Sequence, residues 1–402
     1  WSKKRTENHL VAKPIKKVSI TETKWVNSQV IKNDLDVTRG QPLQMDGFHQ
    51  RLTSLYATGD FSQLDYELLD DGDSQDMLVL PVEKSWGPNY LNFGLSFGTD
   101  FDNSYPWNFT VMYRRTWINQ LGADWKTVAQ VGNSTMLRTE FYQPLSVGGN
   151  GFVAPYLRYY RIPLAIWDDG SEVAKYKYTK GSVGADIGTG SKFGELRFGP
   201  VYNHYNAVRS IGPTLLPESD SYDYGLRLNM FYDQLDNYFF PTTGQYLDLY
   251  IYRTLGGSKD LQDYGLYGFL FRDAVRAGRG NFQFTLKGQT SSGHNSDVIA
   301  DVSWLGGFLN LSSYRYQELI GDQLAYGSVQ FYHPFISAST FWGFAAEVGR
   351  VFDYFDETIA NEWHFSATPY LAYDSALGPM YLGISYGDNH TWSGYFMLGK
   401  QF

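Results

Sequence analysis

From residue 87 to the last residue, apolar and small or polar side chains exchange places at every second position, and no convincing amphipathic helix interrupts them. A period of two is the mark of strands whose two faces meet different surroundings. Strands can be placed near 89–98, 107–118, 123–132, 134–145, 151–167, 172–188, 193–208 and 222–236. Eight more follow near 245–255, 261–277, 280–292, 324–337, 340–353, 364–377, 380–388 and 393–402. That makes about sixteen, an even number of the kind single-chain bacterial barrels prefer. Several are long enough for a tilted membrane strand, which needs about ten residues.

Composition agrees with a barrel. Aromatic residues make up 17% of the chain, with 32 Tyr and 27 Phe. A soluble core is built mostly from aliphatic residues, whereas a membrane barrel carries aromatic girdles at both interfaces. No apolar run approaches the roughly 18 residues of a membrane helix. The mildly polar mean hydropathy fits a barrel equally, because alternation keeps every window average low. The absence of cysteine excludes disulfides and thiolate metal sites. The seven His residues lack ligand spacing, so no metal or cofactor is expected. The net charge of −9 argues against a nucleic-acid partner.

The connections point the same way. "NQLG", "SVGGN", "AGRG" and "DSALG" are short, while "RSIGPTLLPESDSY", "FDETIANEW" and residues 293–323 are long. Short turns inside and long loops outside are the pattern of outer-membrane barrels. Phe240, Pro241 and Gly244 read as a tight turn on the inner side.

Ahead of the alternation the chain has a different texture. Residues 1–14 are basic and polar and read as a linker, with no apolar core of a signal peptide in "WSKKRTENHL". A signal peptide is therefore absent, removed, or part of a longer precursor. Residues 15–86 read as one small unit in the order β-α-α-β-β. "KKVSIT" is a strand and "NSQVIKNDL" a helix. "MDGFHQRLTSLYATG" is a second helix with Phe48, Leu52, Leu55 and Tyr56 at helical spacing, closed by Gly59. "QLDYELL" and "DMLVLPVE" are strands joined by "DDGDSQ", a hairpin tip that lacks the alternating oxygen ligands of a calcium loop.

Two stretches, "GLSFG" at 94–98 and "GISYG" at 383–387, spell the nucleophile elbow of a serine hydrolase. Parity explains them without chemistry. Leu91, Phe93, Leu95 and Phe97 share one strand face, and Asn92, Gly94, Ser96 and Gly98 the other. Leu382, Ile384 and Tyr386 likewise oppose Gly383, Ser385 and Gly387. A true elbow sits at a strand-to-helix turn with a His base and an acid. Here loops follow, so neither Ser96 nor Ser385 is expected to be catalytic, and a soluble esterase is the remotest reading.

Several segments then resemble a known family. "KKVSITETKWVNSQVIKNDLDVTRGQPLQMDGFHQRLTSLYATGDFSQLDYELL" resembles a POTRA domain. "LDNYFFPTTGQYLDLYIYR" and "WLGGFLNLSSYRYQELIGDQLAYGSVQFYHPF" resemble segments of the POTRA–barrel outer-membrane assembly and secretion superfamily. "EKSWGPNYLNFGLSF" and "GGFLNLS" are similar to the carboxy-terminal half of patatin-like phospholipase autotransporters, the type Vd secretion proteins. The resemblance implies an outer-membrane barrel of about sixteen strands over 87–402, with a POTRA at 15–86 in the periplasm. It also implies membrane lipids and the barrel assembly machinery as partners, and an upstream passenger, a secreted patatin lipase, ending near Trp1. A passive porin, or an assembly factor without its own passenger, is the alternative.

The resemblance also implies particular residues. The inserted outer loop would carry its motif at Leu311, Ser312, Ser313, Tyr314 and Arg315. Family members often have Arg-Gly before the aromatic residue, whereas here Arg315 follows Tyr314. The wall partner would be Glu347 in "GFAAEVGRVF", in phase with Gly343 and opposite Trp342, Phe344 and Val348, hence facing the lumen. Arg315 and Glu347 are either a docking pair or two solvated charges, and the loop is expected to plug the barrel. Phe402, the last residue, would be the terminal-strand signal.

Overall fold

The computed structural model describes residues 13–101, 106–168, 170–191, 193–214, 218–261, 263–293, 301–352 and 362–399. Phe402 and most of the linker lie outside these residues.

The first unit contains strand β1 (Ile15–Ile20), helices α1 (Ser28–Leu35) and α2 (Met45–Ala57), and strands β2 (Phe61–Asp71) and β3 (Ser74–Glu83). The sheet order is β1-β3-β2, with β1 parallel and β2 antiparallel to the central β3. Helix α1 starts where the Asn27 side chain accepts the N–H of Gln29, at 2.9 Å, satisfying one of the orphan donors of a helix end. Helix α2 buries Phe48 and Leu55 against Ile15, Phe61 and Met77. Tyr56, expected on that same face, is 49% exposed. It lies one residue past Leu55, so the helix turns it roughly 100° away from the core. Gly72, at a φ of +69°, closes the β2–β3 hairpin in two residues.

The second unit is a closed barrel of sixteen antiparallel strands. They are β4 (Asn89–Thr99), β5 (Asn108–Arg115), β6 (Asp124–Gly132), β7 (Thr135–Pro144), β8 (Gly151–Asp168), β9 (Ser171–Ser191), β10 (Gly194–Ile211) and β11 (Ser219–Asp233). Next come β12 (Gly244–Gly257), β13 (Gly265–Ala277) and β14 (Gly280–Ser292). Two short strands outside the barrel wall, β15 (Ser303–Leu305) and β16 (Leu319–Gly321), precede β17 (Gln323–Pro334), β18 (Thr340–Phe352), β19 (His364–Ser375), β20 (Gly378–Gly387) and β21 (Trp392–Gly399). Strand β21 pairs with β4 and closes the ring.

The alternation in the sequence becomes the two faces of this wall. On β4, Leu91, Phe93, Leu95 and Phe97 are exposed outside, while Gly94 and Gly98 are buried inside. Such an apolar outer face would aggregate in water and suits hydrocarbon. Inside, room is limited. A Cβ on Gly343 would meet the ring of Tyr370, and one on Gly268 the ring of Tyr250. The interior glycines make space for aromatic rings on neighbouring strands.

Three details differ from the sequence reading. Strand β13 starts at Gly265 instead of 261, because Lys259–Leu261 form a 3₁₀ turn and Tyr264 O accepts the N–H of Thr254. Loop length alternates less regularly than expected. The β6–β7 and β8–β9 connections, on the long-loop end, are only two residues each; β8 and β9 themselves run on, to 18 and 21 residues, as a β-ribbon. Phe240, Pro241 and Gly244 do not form a tight turn. They belong to a ten-residue connection, 234–243, followed by the first residue of β12. Asp236 organises it, accepting from the N–H groups of Thr242 and Thr243 and the Thr242 hydroxyl. Phe240 then folds inward, stacks on Phe341 with ring centres 4.6 Å apart, and is buried.

Candidate functional site

Within the segment between β14 and β17, β15 and β16 pair into a hairpin, Ser303 opposite Gly321 and Leu305 opposite Leu319. Its tip, residues 306–318, is an irregular coil inside the barrel. Apolar residues hold it there: Leu305, Leu311, Tyr314 and Leu319 pack with Leu324, Tyr326 and Val351 of the wall. The Phe308 ring lies 5.2 Å from that of Tyr381 and 5.4 Å from that of Tyr395. Gly306 and Gly307 adopt positive φ, as the tight entry into the tip demands.

Leu309 and Leu311 also have positive φ, 55° and 76°. Non-glycine residues pay for that conformation, and it persists only where the surroundings fix it. At Leu311 the result is visible. Consecutive N–H groups turn to the same side and make a small anion nest. The carboxylate in the nest is Glu347, on β18. It accepts from Leu311 N at 2.9 Å, Ser312 N at 3.1 Å and the Ser312 hydroxyl at 2.6 Å. Tyr326 reaches the same carboxylate at 2.8 Å and Thr368 at 3.4 Å. Glu347 is 3% exposed. A carboxylate that deep in a protein needs several strong donors, and here two backbone N–H groups and neighbouring hydroxyls provide them.

The structure therefore brings Glu347 together with Leu311 and Ser312, and not with Arg315. The Arg315 guanidinium donates to the carbonyl of Gly170 and lies 5.4 Å from the Trp167 ring. Those residues sit at the β8–β9 tip, and β8 is eight strands from β18 around the ring of sixteen. The tip thus spans the lumen, anchored by its backbone on one wall and by Arg315 on the opposite one. Gln317 adds to the second anchor, accepting from Ala165 N at 3.4 Å.

Ser313 and Tyr314 find partners beside Glu347. Ser313 N donates to Ser366 Oγ at 3.0 Å, and Asn389 Nδ2 donates to Ser313 O at 2.8 Å. The Tyr314 hydroxyl lies 2.7 Å from His364 Nδ1 and 3.1 Å from Asp388. Burial raises the Asp388 carboxyl, but the N–H of Phe365 and the imidazole of His364 outweigh it and hold it below its ordinary value. The Tyr395 hydroxyl donates to Ser312 O at 2.7 Å. Tyr326, His364, Ser366, Thr368, Asp388, Asn389 and Tyr395 were not singled out in the sequence. Inward parity on β17, β19 and β21 is the signal that could have marked several as wall residues, but nothing linear links them to 311–314.

Ser385 lies buried on the inner face of β20, accepting from the Thr368 hydroxyl at 3.1 Å. Ser96 sits in the middle of β4, opposite Gly399 of β21. Both occupy regular strand instead of an elbow. Among the described residues, no group of acidic and imidazole side chains is arranged to hold a metal, and none of their helices is long and apolar enough to cross a membrane.

No protein-family model and no curated protein matches the sequence. Solved structures do. BamA from Haemophilus ducreyi lacking POTRA domains 1–3 superposes with a TM-score of 0.72 at 13% identity, covering 97% of this chain and 85% of that one. CdiB from Acinetobacter baumannii gives 0.62 at 11% identity, covering 96% and 74%. CdiB from Escherichia coli gives 0.57 at 10%, covering 97% and 77%. Across nearly its whole length this chain shares the fold of those barrels, and at such identities the fold is what the likeness establishes.

Proposed function

We propose that this chain is an outer-membrane translocator. It inserts in the outer membrane through its sixteen-stranded barrel, keeps the unit at 15–86 in the periplasm as a POTRA domain, and secretes or displays an attached upstream passenger. The observation that carries the reading is the tip 306–318, docked by a backbone nest on Glu347 inside a barrel with an apolar outer face. A passive pore gains nothing from a strained, bridging plug. A translocator needs a lumen that is sealed at rest and can be cleared. The fold shared with BamA and CdiB supports the same class. The patatin-like lipase as passenger rests on the segments that resemble type Vd proteins. In this reading the chain catalyses nothing itself. Its partners are outer-membrane lipids, the barrel assembly machinery and the passenger.

The test is to fuse a patatin-like domain ahead of Trp1 in a Gram-negative host and treat whole cells with protease. The passenger is expected to be cut from outside. A folded barrel whose passenger stays protected in the periplasm would overturn the translocator and favour an assembly factor. Open conductance that is unchanged on deleting residues 1–86 would favour a porin.

A further inference from the structure

Below the charge balance of the whole chain lies a local exception. A cavity of about 630 Å³ opens inside the barrel, a volume typical of small-ligand sites. Its lining carries five cationic side chains, Arg138, Arg158, Lys180, Arg227 and Lys287, against two carboxylates, Asp248 and Asp301. Two of the cations are neutralised. Lys180 pairs with Asp301 at 2.5 Å, and Arg227 grips Asp186 with two hydrogen bonds, at 3.0 and 2.5 Å.

Arg158 and Lys287 differ. Among the described residues neither makes an ion pair. Arg158 lies on the Tyr156 ring at 4.7 Å, and Arg227 lies on the same ring at 4.0 Å. Tyr156 is itself fixed flat against the wall at Gly184, where any Cβ would collide with it. Two guanidiniums are thereby held close together on one ring, and of the two only Arg227 has, among the described residues, a carboxylate within hydrogen-bond reach, so the Arg158 charge is left to the cavity. Lys287 projects inward from β14, since its neighbours Phe284 and Leu286 on that strand are exposed outside. Strand β14 stands six strands from β8 around the ring, so the two cations face the cavity from different walls. Partly desolvated charges without partners are costly, and such charge lining a lumen concentrates ions of opposite sign.

We infer that this cavity is a receptor for a multivalent anion, held between Arg158 and Lys287. The ligand chemistry is a cluster of phosphate or carboxylate groups, from a small phosphorylated solute or an acidic run of polypeptide in the lumen. The inference is independent of whether a passenger is moved.

The experiment uses the full folded chain in nonionic detergent, titrated calorimetrically with tripolyphosphate and, separately, with a short polyglutamate peptide. At least one of them is expected to bind, more weakly as salt rises. Its affinity is expected to fall about tenfold in Arg158→Gln and in Lys287→Gln, the scale of one lost charge-assisted hydrogen bond. Arg158→Lys should keep most of the affinity, and Arg279→Gln, in an exposed turn outside the cavity, all of it. Binding of the peptide assigns the site to a polypeptide segment, and binding of tripolyphosphate alone assigns it to a phosphorylated solute. The proposal is overturned if wild type binds neither probe, or if Lys287→Gln, or a folded Arg158→Gln, each checked by heat-modifiable migration, binds as Arg279→Gln does; where Arg158→Gln fails to fold, Lys287→Gln decides.

Discussion

Glu347 shows how one side chain can hold a long segment. Its two oxygens receive two backbone N–H groups and the hydroxyls of Ser312 and Tyr326. Glu347→Ala leaves those donors buried and unpaired, at about 1–3 kcal/mol for each group that finds no water. The docked tip is therefore expected to loosen by on the order of 3 kcal/mol, and proteolysis of residues 306–318 in the folded barrel should accelerate strongly. Glu347→Gln keeps one acceptor and should fall between. Arg315→Ala, which removes a partly exposed anchor, should cost less than about 1 kcal/mol. Equal cleavage of wild type and Glu347→Ala would mean that packing alone holds the tip. Gly387→Ala offers an independent check. Its Cβ would occupy the place of Ser313 Oγ and press on the carbonyl of Phe365, so it should undock the tip without touching Glu347. For Ser385→Ala no loss of any hydrolytic activity of a fused lipase is expected, because the hydroxyl sits in regular strand and, among the described residues, bonds to Thr368 alone.

At the scale of the element, the 234–243 connection is a structured device and not a simple reversal. Burial raises the Asp236 carboxyl, but the Thr242 hydroxyl and the N–H groups of Thr243 and Thr242 overcome it and hold the group below its ordinary value. A carboxylate whose pKa is depressed in the folded state stabilises that state above its unfolded value, and the contribution disappears as pH falls through the folded one. Asp236→Asn should therefore loosen the connection at neutral pH, and the gap from wild type should close only below the normal carboxylate range. Limited proteolysis at 234–243 across pH would show it. A gap that stayed constant down to pH ~2 would point to lost hydrogen-bond geometry in place of charge. Phe240 is the apolar half of the same element, and Phe240→Ala should cost about 3 kcal/mol in barrel stability by emptying the space between Phe341 and Tyr332.

Across the whole molecule the hydrogen-bonded ring is uneven. Strands β8 and β9 align eighteen residue pairs, from Gly151–Thr189 to Asp168–Ser171. Strands β21 and β4 align four among the described residues, Phe396–Thr99 to Gly399–Ser96. Each pair fewer means backbone bonds that a hydrocarbon surrounding cannot replace, so among the described residues this seam is a much weaker joint than β8–β9. Cysteines at Phe97 and Leu398, which stand opposite each other, should cross-link on oxidation. If passage of a passenger requires the seam to part, the oxidised barrel should retain its passenger and the reduced one release it. Equal export in both states would confine transport to the lumen and make release of the tip 306–318 the controlling step.

The sequence alone determined the wall. Alternation with a period of two depends only on which residues are neighbours along the chain, so strand positions, their number and the inward face of Glu347 were all readable from it. The helical spacing of Phe48, Leu52 and Leu55 was local in the same sense, and Tyr56 failed because a single step around a helix leaves the buried stripe. What the tertiary structure decided was which groups meet. Glu347 lies 35 residues from Ser312, and charge suggested Arg315 as its partner. The partner is instead a pair of N–H groups, a feature every residue possesses and no letter of the sequence announces. They converge on the carboxylate only because Leu311 is held at positive φ, and that strain is sustained by packing from strands far apart in the chain but adjacent in the closed barrel.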